Sequence, residues 1–479
     1  MALPETGVIE IRSTATANNV NGGGFNAARG GTDYTLQDAA QLTNVDGTST
    51  ASTTFTSALA TFTAVMVGNY LHITAGTGAT VGWYEIVTYV NANTVTLDRV
   101  SGTYTAATFY IGGAMSLNST LDDDLFEIGV AGNIFYVKGS TTYTLGEAVS
   151  ITAAGSSTLP IIIQGYITTR GDNPTGNTRP ILATGANGLA LGGYWDIKNC
   201  IVTGTANTVL TDAAMTTSEA HFCKVVNNST ATSRTAISIT NQIACEAISY
   251  RGIGATGQNV LGGWYHHSRY GYSYGSTFKG LAHSIISSNS IGAITASATA
   301  VGMINSNTLY GGEVPVGIGY GPSGATINII FTNNIVYGFV TGVSHTTANQ
   351  RNSYDNWNNY YNNTTDVTNW PKGANDIAVN PSFVSVTEVA GTTGAFVAGD
   401  SKLVDTSKNF TTLGVVAGDY VMIKSGTGVT AGCAQISSIS TTTNPNDTLS
   451  TDITVGTSTV TDKVYAITLG NNFLPTGAV

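Results

Sequence analysis

Residues able to do acid–base or ligand chemistry are sparse in this chain. Between residues 197 and 354 the carboxylates are Asp212, Glu219, Glu246 and Glu313. Cleaving a glycosidic bond takes two carboxyl groups about 5–9.5 Å apart across one groove. No two of these four lie close in sequence or one repeat apart at matching positions. The triplet Asp122-Asp123-Asp124 has no arginine nearby, so it is expected as a solvated turn and not a Ca²⁺ site. The densest aromatic stretch is WYHHSRYGYSY at 264–274. Trp264, Tyr265, Tyr270, Tyr272 and Tyr274, with His267 and Arg269, have the chemistry of a sugar-stacking platform. The same residue types are enriched at subunit interfaces, and an interface is the favoured expectation, with Tyr270 and Tyr272 outside the core. A second aromatic group, Tyr354, Trp357, Tyr360, Tyr361 and Trp370, precedes Asn380–Phe383 (NPSF) and reads as a plug on the end of the fold. The four cysteines lack CxxC or Cys/His spacing. No metal and no cofactor is expected.

The elements that must position these groups announce themselves by spacing. Cys200, Cys223 and Cys245 are separated by 23 and then 22 residues, each in a short apolar stretch. That is the period of one solenoid coil, in which like residues stack into an interior ladder. The series continues through Asn307–Gly311 (NTLYG), Asn334–Gly338 (NIVYG) and Asn358-Asn359-Tyr360-Tyr361. His266, 21 residues after Cys245, is expected at the same ladder position. Only 10% of residues are charged, and 57 are glycine. Helix formers are scarce, whereas Val, Ile, Thr and Tyr recur between Gly and Asn, the pattern of many short strands joined by tight turns.

A longer-range repeat lies outside the solenoid. Residues 67–86 (VGNYLHITAGTGATVGWYEI) match residues 417–436 (AGDYVMIKSGTGVTAGCAQI) at a constant offset of 350. The match includes Gly68/Gly418, Tyr70/Tyr420, Ile73/Ile423, Gly82/Gly432 and Ile86/Ile436. Each copy reads as a small antiparallel β-module with a glycine turn. The GTGxTxG run lacks the following helix and the Lys-Ser/Thr that a phosphate loop requires. The expected class is all-β: a right-handed parallel β-helix flanked by two related antiparallel β-modules. The division is 1–114 for the N-terminal segment and module, 115–385 for the β-helix, and 395–479 for the second module, which is related to residues 62–98. The modules are placed over the exposed coil edges, where bare strands invite aggregation.

Net charge is −10 with no basic run, so nucleic acid is not an expected partner. No apolar stretch reaches 18 residues, so membrane insertion is not expected. The start, MALPETGVIEIRS, lacks a signal-peptide pattern, while the low-lysine, Thr/Ser/Asn-rich composition suits an exterior surface. At this point the solenoid resembles the pectate-lyase-like β-helix superfamily, including phage tailspikes. The opening Asn21-Gly22-Gly23-Gly24-Phe25, Gly31-Thr32-Asp33-Tyr34 and Gln37-Asp38-Ala39-Ala40-Gln41 is similar to β-helix virion proteins of tailed phages. That resemblance implies a virion location, reached from the host cytoplasm by lysis, as a surface spike or decoration on head or tail. It also implies other virion proteins as partners, a homotrimer, and contact with cell-surface glycan. The NTD, DD, GHG and RIK blocks of polygalacturonase-like enzymes are absent, so a structural, non-enzymatic role is the first expectation. A tailspike polysaccharide depolymerase and a secreted bacterial adhesin are the alternatives.

Overall fold

The computed structural model describes the chain apart from residues 1–2, 16–19, 118–121, 146–148, 213–216, 267, 269, 275–277, 288, 290–291, 297–299, 313–314, 316, 324–326, 347–352, 384–387, 397–400, 426–430, 441–447, 452–459 and 469–479. It divides into two compact units, Met1–Thr203 with Thr211–Lys224, and Gly204–Leu210 with Val225–Val479. Both are parallel β-helix with an antiparallel barrel attached. Each coil supplies three short strands to three parallel sheets. Among the described residues no helix is long and apolar enough to cross a membrane.

In the first unit one sheet runs in the order Gly24–Phe25, Val8–Ile11, Ile134–Lys138, Ile161–Tyr166, Trp195–Lys198, Glu219–His221. Alternate residues point inward, so Ile163, Ile197 and Ala220 are fully buried. The strand Val8–Ile11 already pairs in parallel with Ile134–Lys138. The N-terminal barrel is therefore an insertion after the first rung, and residues 1–114 are not a module ahead of the shaft. Gly24–Phe25 pairs antiparallel with Val8–Ile11 and closes that edge. Buried Glu10 anchors the junction. It accepts from Arg12 and Arg170 at 2.9 Å each and from Tyr166, while Arg170 also reaches Asp33 at 2.7 Å. The Asp33 of the opening motif is thus a clamp between barrel and solenoid.

In the second unit the same sheet position is filled by Asn241–Ile243, Asn259–Leu261, Gly280–Ala282, Ala300–Asn305, Ile327–Thr332 and Tyr354–Asn356. At the corner after these strands a residue adopts positive φ, between 50° and 68°: Ala244, Gly262, His283, Ser306, Asn333 and Trp357. The next residue is the ladder: Cys245, Gly263, Ser284, Asn307, Asn334 and Asn358. In the first unit the matching corners are Asn199-Cys200 and Phe222-Cys223. The cysteine and asparagine series are therefore one position of the coil. Its thiols are buried and in no disulfide, and its amides form a chain. Asn358 Oδ1 accepts from the N–H and Nδ2 of Asn334, Asn334 Oδ1 accepts likewise from Asn307, and Asn307 Oδ1 accepts from the Ser284 N–H, all at 2.9–3.1 Å. His266 is not in this series. Gly263 takes the position because the coil from Cys245 is shorter than its neighbours.

Both barrels close six strands in one order, first–second–fifth–fourth–third–sixth. The N-terminal barrel begins at Leu42–Thr50 and ends at Thr103–Ile111, and the C-terminal barrel begins at Glu388–Phe396 and ends at Val460–Thr468. They dock by the same face. Tyr70 is fully buried against Gly7, Gly22 and Gly24, and its OH donates to Pro4 O. A Cβ on Gly24 would lie 2.0 Å from the Tyr70 ring, which accounts for that glycine. The equivalent Tyr420 packs edge-to-face on Tyr250 at 6.0 Å, and the Cys433 N–H donates to Tyr250 O at 2.6 Å. Val226, Ile248 and Tyr250 belong to the C-terminal barrel's core. This barrel sits on the flank of the β-helix, not over its last coil as expected. The last coil closes on itself, with Tyr360 and Trp370 both donating at 2.7 Å to buried Asp355. Tyr354 and Trp357 stay outside this plug. Tyr361 stacks on Tyr337, and Phe383 of NPSF lies edge-on to Tyr310 and Tyr337.

Candidate functional site

Strand alternation puts Asp196 and Lys198 on the outer face of one rung of the first unit and Glu219 and His221 on the next. Register pairs Asp196 with Glu219 and Lys198 with His221, about 4.8 Å apart as neighbouring strands must be. Lys198 Nζ lies 3.1 Å from Asp196 Oδ2, and His221 Nε2 lies 2.8 Å from Glu219 Oε2. The result is a square of four polar side chains, partly shielded on a rigid sheet. It contains a matched acid pair on adjacent rungs, one member of which, Asp196, lies just ahead of the acid-poor interval 197–354. The signal was available: both acids stand four residues before a ladder cysteine.

Two aromatic residues frame the square. Tyr194 precedes the first strand with φ 58° and Phe222 follows the second with φ 53°; they are 36% and 53% exposed. Positive φ is costly for bulky side chains, by roughly 1–2 kcal/mol, and the Phe222 ring in particular stays more than half exposed. Arg179 Nη1 donates to Phe222 O at 2.7 Å and holds the corner. Acidic, basic and imidazole groups between two exposed rings offer a saccharide both hydroxyl partners and faces for its C–H bonds. The donor atoms of Asp196, Glu219 and His221 all lie within 4.8 Å of one another, so this trio could also hold a cation. Its mixed oxygen and nitrogen chemistry suits a transition metal better than Ca²⁺.

The stretch 264–274 is placed differently from expectation. Tyr265, Tyr272 and Tyr274 are interior. Strand alternation turns them inward, and glycines make room, since a Cβ on Gly263 would meet the Tyr265 hydroxyl at 2.3 Å. These three are removed from the contact surface, and Tyr272 lies inside the stacked core. Trp264 and Tyr270 are half-buried on the outside. His267 and Arg269 lie outside the described residues. His266 stacks on Trp264 at 3.8 Å and meets Glu246 Oε1 at 3.0 Å, a His–carboxylate pair made from adjacent rungs. Asp122–Asp124 opens the short helix Asp122–Glu127, where a turn was expected.

No protein-family model and no curated protein sequence matches this chain. Among solved structures it is similar to pectate lyase Pel9A, at 14% identity and a TM-score of 0.32 over 53% of this chain and 75% of that one. It is similar also to the tailspike protein gp49 from Pseudomonas phage LKA1, at 12% identity and a TM-score of 0.19 over 90% of this chain and 81% of the other. A third is the Gp54 tailspike of Acinetobacter baumannii bacteriophage AP22 in complex with A. baumannii capsular saccharide, at 10% identity and a TM-score of 0.17 over 89% and 83%. At such identity no residue role transfers, and function must be argued from this chain's own side chains.

Proposed function

We propose that this protein is a surface-exposed β-helix spike or decoration of a phage virion, built to engage host-surface glycan. The observation that carries glycan engagement is the outward square of Asp196, Lys198, Glu219 and His221 between the strained, exposed rings of Tyr194 and Phe222. The charge-poor composition and the opening motif's resemblance to phage virion proteins support the virion setting. Assembly as a homotrimer beside other virion proteins belongs to the same reading. Mass spectrometry of purified particles tests the location, and light scattering tests the trimer. Binding is tested by titrating the purified protein with host capsular or O-antigen polysaccharide. Wild type should bind, and Asp196→Asn with Glu219→Gln should weaken binding at least tenfold; equal binding by the double variant would remove the site.

A second reading, depolymerase activity, is favoured by the Asp196–Glu219 pair itself. Two carboxyl groups on adjacent rungs stand near the 5–5.5 Å separation of retaining glycosidases, and Glu219 already shares a hydrogen bond with an imidazole. New reducing ends or unsaturated products, lost in Glu219→Gln, would replace the binding-only reading with this one.

A further inference from the structure

The outer face of the same sheet in the second unit carries a different surface. One outward column over three rungs is Met303, Ile330 and Tyr354, in register and all exposed. The adjacent column is Asn305, Thr332 and Asn356, of which Asn305 is half-buried and Thr332 and Asn356 are buried. Corner residues Ser306, Asn333 and Trp357 complete a three-by-three patch in which no side chain is charged. Asn305 Oδ1 accepts from Thr332 Oγ1 at 3.1 Å and from Asn333 Nδ2 at 3.0 Å, so the amides are held in place. At the last rung the Tyr354 and Trp357 rings stand 6.4 Å apart at 58°. Asn356 Nδ2 donates to the Tyr354 hydroxyl at 2.9 Å and orients it.

Trp357 is the feature that needs explaining. It is 56% exposed with φ 56°, a backbone state that suits Asn or Gly and penalises a bulky residue. The neighbouring rung has Asn333 at this corner with φ 55°. Tryptophan here therefore costs stability, and most of its ring remains in water.

We infer that Tyr354 and Trp357, with the exposed Asn333 side chain on the neighbouring rung, form a binding subsite for a neutral saccharide. Exposed rings beside an exposed amide match a pyranose, whose C–H face stacks on rings while its hydroxyls meet the amide. With no charge in the patch, carboxylated or phosphorylated sugars find no counter-ion there. This subsite rests on the glycan reading above but lies on different residues from the Asp196–Glu219 square, so the two can fail separately.

The test uses the full-length protein on an array of neutral hexose and N-acetylhexosamine oligosaccharides alongside uronic-acid oligosaccharides. Trp357→Asn should weaken neutral-glycan binding about tenfold, the loss of roughly one aromatic contact, while its melting temperature holds or rises because Asn suits the corner. Tyr354→Ser should weaken the same probes. Unchanged neutral-glycan binding in Trp357→Asn overturns the subsite. If wild type binds only uronic-acid probes, through Lys198 and His221 of the first-unit site, the subsite falls and the glycan reading stands. If wild type binds no probe, both fall. Altered sedimentation with unaltered glycan binding in Trp357→Asn would assign the patch to a protein contact and overturn the inference.

Discussion

The coil strands Trp195–Lys198 and Glu219–His221 of the first unit and Tyr354–Asn356 of the second occupy the same place in the repeat, yet their polarity is inverted. In the first, charge is outside, on Asp196, Lys198, Glu219 and His221, over an interior of Ile197 and Ala220, with thiols on the ladder. In the second, the outside is neutral, while the interior holds Asp355 and the ladder is amide. A β-helix separates these choices because inward and outward residues alternate and each column is filled independently. The backbone can therefore keep one geometry while its outer columns are written for different ligands and its inner columns for different kinds of cohesion.

The largest effect should come from the ladder. Asn334→Leu strands the N–H of Asn307 and the carbonyl of Ile304, both bonded to the Asn334 amide, and should cost about 3–5 kcal/mol in urea unfolding. Cys223→Ala, at the same coil position, should cost no more than about 1 kcal/mol. Equal losses would dissolve the contrast between the two halves of the ladder. The next effect is one of pH. Burial, followed by the neighbouring Asp376 carboxyl, pushes the Asp355 pKa up to about 7. The folded state therefore holds a proton that the unfolded state releases near pH 4. This contribution is full below that pH and is lost as pH rises toward 7, by about 1 kcal/mol per unit. Wild type should show this downward component relative to Asp355→Asn in denaturation midpoints from pH 4 to 7; parallel profiles would remove the buried acid from the comparison.

Smaller effects concern the outer face. Phe222→Asn relieves the corner strain and should raise stability by about 1 kcal/mol while reducing glycan binding. Asp196→Asn breaks a partly exposed pair with Lys198 and should change stability by less than about 1 kcal/mol, so any larger loss of binding reports recognition and not folding. Burial raises the Cys200 and Cys433 thiol pKa values. With Cys223 and Cys245 also buried, all four should resist alkylation until the chain unfolds.

The solenoid was legible in the sequence because coil length is nearly constant from Cys200 to Cys245, and the ladder position there tolerates one small residue type. It became hard to follow where the coil shortens and the type changes to Gly263, Ser284 and then Asn307, which is how His266 was misplaced. The β-modules were legible from their shared glycine turns; their strand order and docking faces were not, since these depend on partners far away in sequence. Aromatic density misled at 264–274, where a strand hides alternate tyrosines. The candidate site escaped because its four residues are ordinary one by one and acquire meaning only when two rungs are aligned.

The insertion of a barrel after the first rung bears on the order in which the molecule can fold. Neighbouring rungs near the cysteines pair across about one coil of chain, whereas Val8 must find Ile134, a closure spanning more than a hundred residues. Long closures carry a larger entropic cost and form late. The barrel eases this one, because Leu42 and Ile111 are paired in its wall and its closure roughly halves the chain left to bridge. The first rung is then a clasp, fastened last through Glu10 and Arg170 once barrel and solenoid both exist.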